Sequence, residues 1–136
     1  MADILLDTGA WYALLDRRDR AHGHCVEALE GVTGRLLSTE AVLTETLWLL
    51  ERVREGPRRC AEFVRRGAVI LVPTSAESLA RAVALMEKYR DVPMDFADAT
   101  LVTLGEELGL DTILTLDRRG FGVYRLLGRR PFRILP

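Results

Sequence analysis

The sequence predicts an α/β protein: a three-layer α/β/α sandwich around a mostly parallel sheet of about five strands. Three observations carry that expectation. Short continuous apolar runs recur at residues 4–6, 36–37, 69–72, 113–114 and 132–135, and unbroken rather than alternating apolar character marks strands buried on both faces. Helical stretches separate these runs, and regular strand–helix alternation favours parallel pairing through helical crossovers. Finally, 136 residues that are 49% hydrophobic suffice for one core, so one domain spanning residues 1–136 is expected.

Each element has its own local reason. The run at 4–6 is followed by helical residues 9–15 and 21–29. The run at 36–37 leads into a helix over 40–54, which the breaker pair Gly56-Pro57 stops. Residues 57–66 make a further helix ahead of the run at 69–72. Thr74 with Glu77 three residues on has capping-box spacing and introduces a helix over 75–88, with Leu79, Val83 and Met86 on one side. The last long helix, 95–108, ends at Gly109, a good C-terminal cap.

Composition removes several classes of function. The longest apolar stretches fall far short of the roughly 18 to 20 residues that span a bilayer, so no membrane segment is expected. The chain opens from Met1 directly into an apolar strand with an early acid and no basic segment, which predicts no secretory signal and a cytoplasmic protein. Cys25 and Cys60 stand far apart and in no CxxC frame, against a disulfide scaffold or zinc knuckle. Neither common phosphate loop nor a nucleophile frame is present, so nucleotide-cofactor and acyl-transfer chemistry drop out. Net charge is -1, yet residues 118–136 carry six arginines and no acid.

What remains is a set of acids in costly places. Asp7 closes the first strand and starts a helix, and Asp117 repeats the arrangement after residues 113–116. Each alone reads as a helix N-cap, but in an open parallel sheet the carboxyl ends of strands line the functional crevice. Glu45 has Val42, Leu49, Ala41 and Trp48 around it on the helical wheel, so it needs an arginine, a hydrogen-bond donor or a metal. Asp95 and Asp98 lie about 60° apart on one helix, Asp95 also suiting an N-cap. If Asp7, Glu45, Asp98 and Asp117 converge, their repulsion calls for a cation. All-oxygen ligands favour Mg²⁺ or Mn²⁺, and such ions suit phosphodiester hydrolysis. With those four acids set aside the remaining charges carry a surplus of three cations, which attracts a polyanion.

Two other groups read as structural. His22, His24 and Cys25 invite a metal site, but alternate helical residues do not face one another and no fourth ligand is near. Trp11, Tyr12 and Trp48 sit in largely apolar segments that suit core or subunit packing better than base stacking.

These residues together resemble the PIN-domain nucleases, most closely the VapC-type toxins of prokaryotic toxin–antitoxin pairs. The likeness rests on Ile4-Leu5-Leu6-Asp7-Thr8-Gly9 with Ala13-Leu14-Leu15-Asp16, on Val42-Leu43-Thr44-Glu45, on Pro93-Met94-Asp95-Phe96-Ala97-Asp98-Ala99, and on Ile113-Leu114-Thr115-Leu116-Asp117 leading to Phe121. It covers nearly the whole chain, and the order and spacing of the motifs are more specific than any one of them. The resemblance implies a sheet whose first and fourth strands adjoin, and Mg²⁺- or Mn²⁺-dependent RNA cleavage. Asp7, Glu45, Asp98 and Asp117 match the family's acidic quartet, Asp95 an accessory acid, and Thr8 and Thr115 positions that steady it. It implies a homodimer, with exposed apolar residues such as Trp48 serving the interface, and a small antitoxin partner. One departure stands out: Gly120 occupies a position where many relatives carry Asp, Asn or His.

The expected function is therefore a metal-dependent endoribonuclease whose C-terminal arginines, among them Arg118, Arg119 and Arg125, hold the RNA backbone. Two rivals remain open. A haloacid-dehalogenase-like phosphatase also uses an aspartate after its first strand, but wants a second aspartate where Gly9 stands and a supporting lysine where Lys88 is the only one. A non-catalytic RNA- or partner-binding module would use the acids only as partners for arginine.

Overall fold

A computed structural model describes residues 2–136; Met1, included in the leader reading, lies outside the described residues. In chain order the elements are β1 (Ile4–Leu6), α1 (Thr8–Leu15), α2 (His22–Glu30), β2 (Leu36–Ser38), α3 (Glu40–Leu50), α4 (Gly56–Arg65) and β3 (Val69–Leu71), then α5 (Ala76–Lys88), α6 (Phe96–Leu108), β4 (Thr112–Leu114), α7 (Arg118–Phe121), β5 (Arg125–Leu126), β6 (Arg130–Pro131) and β7 (Arg133–Leu135). Five strands form a parallel sheet in the order β3-β2-β1-β4-β7, flanked by helices as a three-layer α/β/α sandwich. The apolar runs behave as double-faced burial requires. Leu5 pairs with Leu37 on one side and Ile113 on the other, and Leu5, Leu6, Ile113 and Leu114 are all fully buried.

Strand order reverses between β1 and β4. Chain coming off β1 turns toward β2 and β3, whereas chain off β4 continues toward β7, so their carboxyl ends open a crevice that no crossover covers. Asp7 follows β1 and Asp117 lies just past β4. A hydrogen bond from Asp7 N to the Leu114 carbonyl, at 3.0 Å, ties the two ends together.

Local details depart from the sequence expectation in three places. The third helix ends at Leu50, not residue 54. The chain folds back there with Glu55 in the left-handed region (φ 56°), and Gly56 sits so close that a Cβ would lie 2.3 Å from the Leu50 carbonyl. The cap of α5 is Ser75, whose hydroxyl accepts from Ser78 N at 3.1 Å, rather than Thr74. A short antiparallel ribbon, β5 with β6, was not expected; its two-residue strands are too brief to show a pattern.

Candidate active site

At the crevice, Asp7 is the hub. It is 6% exposed, and its carboxylate accepts from the Thr8 backbone N–H at 2.8 Å and from the Thr115 hydroxyl at 2.6 Å. Thr115, also buried, accepts in turn from Asp117 N at 3.0 Å, so one hydroxyl couples the residues that follow β1 and β4. Asp117 uses its own carboxylate to cap α7, accepting from Gly120 N at 3.0 Å. The N-cap reading and the site reading thus coincide. A cap fixes the carboxylate's rotamer at a strand end, where it faces the other acids.

The remaining acids arrive on two helices. Glu45, on α3, accepts from the Thr8 hydroxyl at 3.0 Å. It is half-buried, because Trp48 one turn away is 67% exposed and leaves that side of α3 open rather than apolar and covered. Asp95 and Asp98 bond reciprocally at the start of α6: Asp98 N donates to the Asp95 carboxylate at 2.8 Å, and Asp95 N donates to that of Asp98 at 3.2 Å. This is a capping box built from two aspartates. Buried hydroxyls hold that helix against its neighbours, since Thr39 and Thr100 share a 2.8 Å hydrogen bond between the start of α3 and α6.

Electrostatics show that these groups share one field. Burial pushes the Asp7 carboxyl above the usual range, and the charges of Asp117 and Asp95 push the same way. Burial and the facing Asp95 carboxylate likewise raise Glu45, against the Thr8 hydroxyl that lowers it. Asp98 is pushed up to about 8 by burial first and then by Asp95 and Asp7. No counter-charge relieves this strain. Among the described residues the ion pairs involve Asp3, Glu62, Glu106 and Asp111, and none of the five crevice acids lies within 4.0 Å of an arginine or lysine.

The donor set suits a hard divalent cation: carboxylate and hydroxyl oxygens, with excess negative charge. The acids are not, however, gathered into a ready cage. Among the described residues no three His, Cys, Asp or Glu side chains surround one point as ligands. Two clefts reach three of the acids, one of about 810 Å³ bordered by Glu45 and Asp95 and another of about 560 Å³ bordered by Asp117 and Arg119; Asp7 and Asp98 line neither.

Other expected residues fall as follows. Arg119 lines the second cleft. The Arg118 guanidinium donates to the Pro136 carbonyl, and Arg125 spends one guanidinium nitrogen on the carbonyls of Gly122, Val123 and Tyr124, at 3.0, 3.1 and 3.0 Å. His22 donates through Nδ1 to the Ala13 carbonyl at 2.7 Å, a packing role. Trp11 is core.

Sequence reading missed Tyr124. This residue is fully buried, stacks edge-on with Tyr89 and Phe121 at 5.1 Å each, and donates its hydroxyl to the Pro93 carbonyl at 2.8 Å. It joins the segment before Asp95 to the turn after Asp117. Gly120 makes room for it: a Cβ there would lie 2.5 Å from an Asp117 carboxylate oxygen and 2.9 Å from the Tyr124 hydroxyl. The glycine was visible in the sequence as a departure; its reason was not.

Comparison with known proteins shows the family to which the fold belongs. The PIN domain family model matches residues 4–126. Ribonuclease VapC26 of Mycobacterium tuberculosis is 29% identical over 136 residues, 98% of this chain and 100% of that protein. The VapC ribonuclease of Archaeoglobus fulgidus is 30% identical over 115 residues, 80% of this chain and 74% of its own. Among solved structures, a toxin–antitoxin complex from Klebsiella pneumoniae shares the fold, with a TM-score of 0.70 at 18% identity over 88% of this chain and 91% of that one. The chain belongs to the PIN-domain family, and its relatives there are VapC-type nucleases. The phosphatase alternative loses its support.

Proposed function

We propose that this protein is a Mg²⁺- or Mn²⁺-dependent endoribonuclease that acts as the toxin of a toxin–antitoxin pair. One observation carries the reading: five carboxylates from four elements gather near the strand-order reversal closely enough that their charges act on one another, and among the described residues none is within 4.0 Å of an arginine or lysine. When bound, the metal supplies positive charge to phosphate oxygens and makes water a competent nucleophile at neutral pH. Asp7, Glu45, Asp98 and Asp117 are the residues we assign to hold it, with Asp95 as accessory.

The chain's own contribution is orientation and charge. Thr8 and Thr115 fix the carboxylates of Asp7 and Glu45 by hydrogen bonds, so little reorganisation is needed when a cation arrives. Burial and the charges of Asp95 and Asp7 raise the Asp98 carboxyl, and an opposing charge would favour its ionised form. Arg119 stands where it can meet an RNA phosphate next to Asp117. Arg118 and Arg125 can join it only by giving up backbone partners.

The partners follow from the relatives. A small antitoxin is inferred from the toxin–antitoxin complex that shares the fold. A homodimer is inferred from the exposed Trp48, Leu79 and Val83, at 67%, 47% and 44%. Among the described residues no helix is long and apolar enough to cross a membrane; the ribonuclease reading assigns the protein to the cytoplasm, where its RNA substrate lies.

The test is cleavage of RNA by purified protein with Mn²⁺ or Mg²⁺, stopped by EDTA. Asp7→Asn and Asp98→Asn, purified in parallel to control for contaminating ribonuclease, should each lose at least about a hundredfold in rate. Undiminished cleavage by both would overturn the assignment. Light scattering reads the dimer, and growth arrest on overexpression, relieved by a neighbouring small protein, reads the toxin.

A further inference from the structure

A second charged groove lies away from the crevice. Its volume is about 460 Å³, and Tyr12, Arg17, Arg18, Arg52, Arg54 and Arg59 line it. These arginines come from the connection after α1, the turn between α3 and α4, and the first turn of α4. All five are exposed, and among the described residues none is within 4.0 Å of a carboxylate; the arginines that are paired are 35, 65, 66, 81 and 130.

The groove's one lining acid offsets only one of the five charges. Asp16 accepts from the Tyr12 hydroxyl at 2.6 Å and from Arg18 N at 3.0 Å. Asp19, Glu51 and Glu55 stand in the same connections but do not line the groove. Five positive charges therefore line one groove with one negative charge among them, a local surplus that attracts an anion.

Five arginines spread over three segments along a groove of about 460 Å³ suit an extended polyanion, whose successive phosphates can each meet a different guanidinium. Guanidinium groups match phosphate oxygens two at a time. Helix α1 links the groove to the crevice: Asp7 caps its start and Asp16 its end, about 13.5 Å apart at about 1.5 Å rise per residue. A strand stacked at about 3.4 Å per nucleotide crosses that distance in about four nucleotides. By contrast, Arg118 and Arg125 near the crevice are already engaged by backbone carbonyls.

We propose that this arginine groove is a second RNA-binding site, which holds the phosphate backbone of a single strand several nucleotides from the bond cut at the acidic crevice. The inference rests on the ribonuclease reading above.

The experiment measures binding of a fluorescent oligouridylate about 20 nucleotides long to the full chain carrying Asp98→Asn, with and without the pair Arg52→Ala and Arg59→Ala. Affinity should fall at least about tenfold, and the slope of log affinity against log salt should become shallower by about 1.4 for two lost contacts. Arg52→Lys with Arg59→Lys should restore much of both. In the otherwise unaltered enzyme, the alanine pair should slow cleavage of the long RNA and leave a trinucleotide substrate unaffected.

Unchanged RNA affinity and salt slope in the alanine pair would overturn the proposal. It would equally be overturned if polyaspartate binding is lost while RNA binding stays, which would assign the groove to an acidic protein segment. Failure here is separable from failure of the main reading: a protein that cuts RNA but ignores these substitutions loses only this site, whereas one that never cuts RNA loses the ribonuclease assignment.

Discussion

Tyr124 and Gly120 show how one residue can serve a site it does not join. The phenol lies close enough to Asp98, Asp117, Asp95 and Asp7 that their charges, after burial, hold its proton on strongly, and that proton is spent on the Pro93 carbonyl. Tyr124→Phe keeps the ring's stacking and removes only this tether. We expect a stability loss of about 1 kcal/mol with a several-fold weaker Mn²⁺ affinity by calorimetry. Gly120→Ala forces its new methyl against the Asp117 carboxylate and should cost about 1–3 kcal/mol, again weakening Mn²⁺. Mn²⁺ affinity unaltered in both variants would reduce these residues to packing.

At the scale of an element, the start of α6 carries two duties that substitution can separate. Asp95 caps the helix through hydrogen bonding and contributes charge to the crevice. Asp95→Ala removes both and should destabilise the metal-free protein by about 1 kcal/mol. Asp95→Asn keeps an acceptor for Asp98 N while removing a charge that raises Glu45 and Asp98. Thermal unfolding in EDTA should find the asparagine variant at least as stable as the parent. If it is as unstable as the alanine variant, the carboxylates do not repel as the geometry implies.

The whole molecule places its acids where strand order reverses, and the cost should appear in its pH dependence. Asp98, Asp7 and Glu45 all have raised folded-state values, so the folded chain binds more protons than the unfolded chain between about pH 4 and 8. Their contribution is least unfavourable below the unfolded carboxylate value of 3.8 and worsens as pH rises toward about 8. Asp3, Asp16, Glu62 and Glu106 act oppositely, so the informative quantity is a difference. In EDTA, the melting temperature of Asp98→Asn minus that of the parent should grow from pH 4 to pH 8 and then level off. Saturating Mn²⁺ should shrink it. A difference independent of pH would mean that Asp98 titrates normally.

How much of this was legible in the sequence varies with the range of the interaction. Runs such as 4–6 and 113–114 announced buried strands because double-faced burial leaves no polar positions, and Gly109 announced the end of α6 because its left-handed φ of 68° suits glycine. Glu45 was read as sheltered on both sides, whereas Trp48 turns outward, since a helical wheel fixes spacing but not what covers each face. The arginines at 118 and 125 looked free by composition, yet backbone carbonyls take them up.

The order of apolar runs and the spacing of acids therefore determined the fold class and nominated the crevice, because periodicity and capping are local properties of a chain. Only the tertiary structure decided that Thr115 bridges Asp7 to Asp117, that Tyr124 needs Gly120, and that arginines 17 and 59 face one groove. Those depend on which distant segments meet, and packing rather than neighbouring sequence settles that.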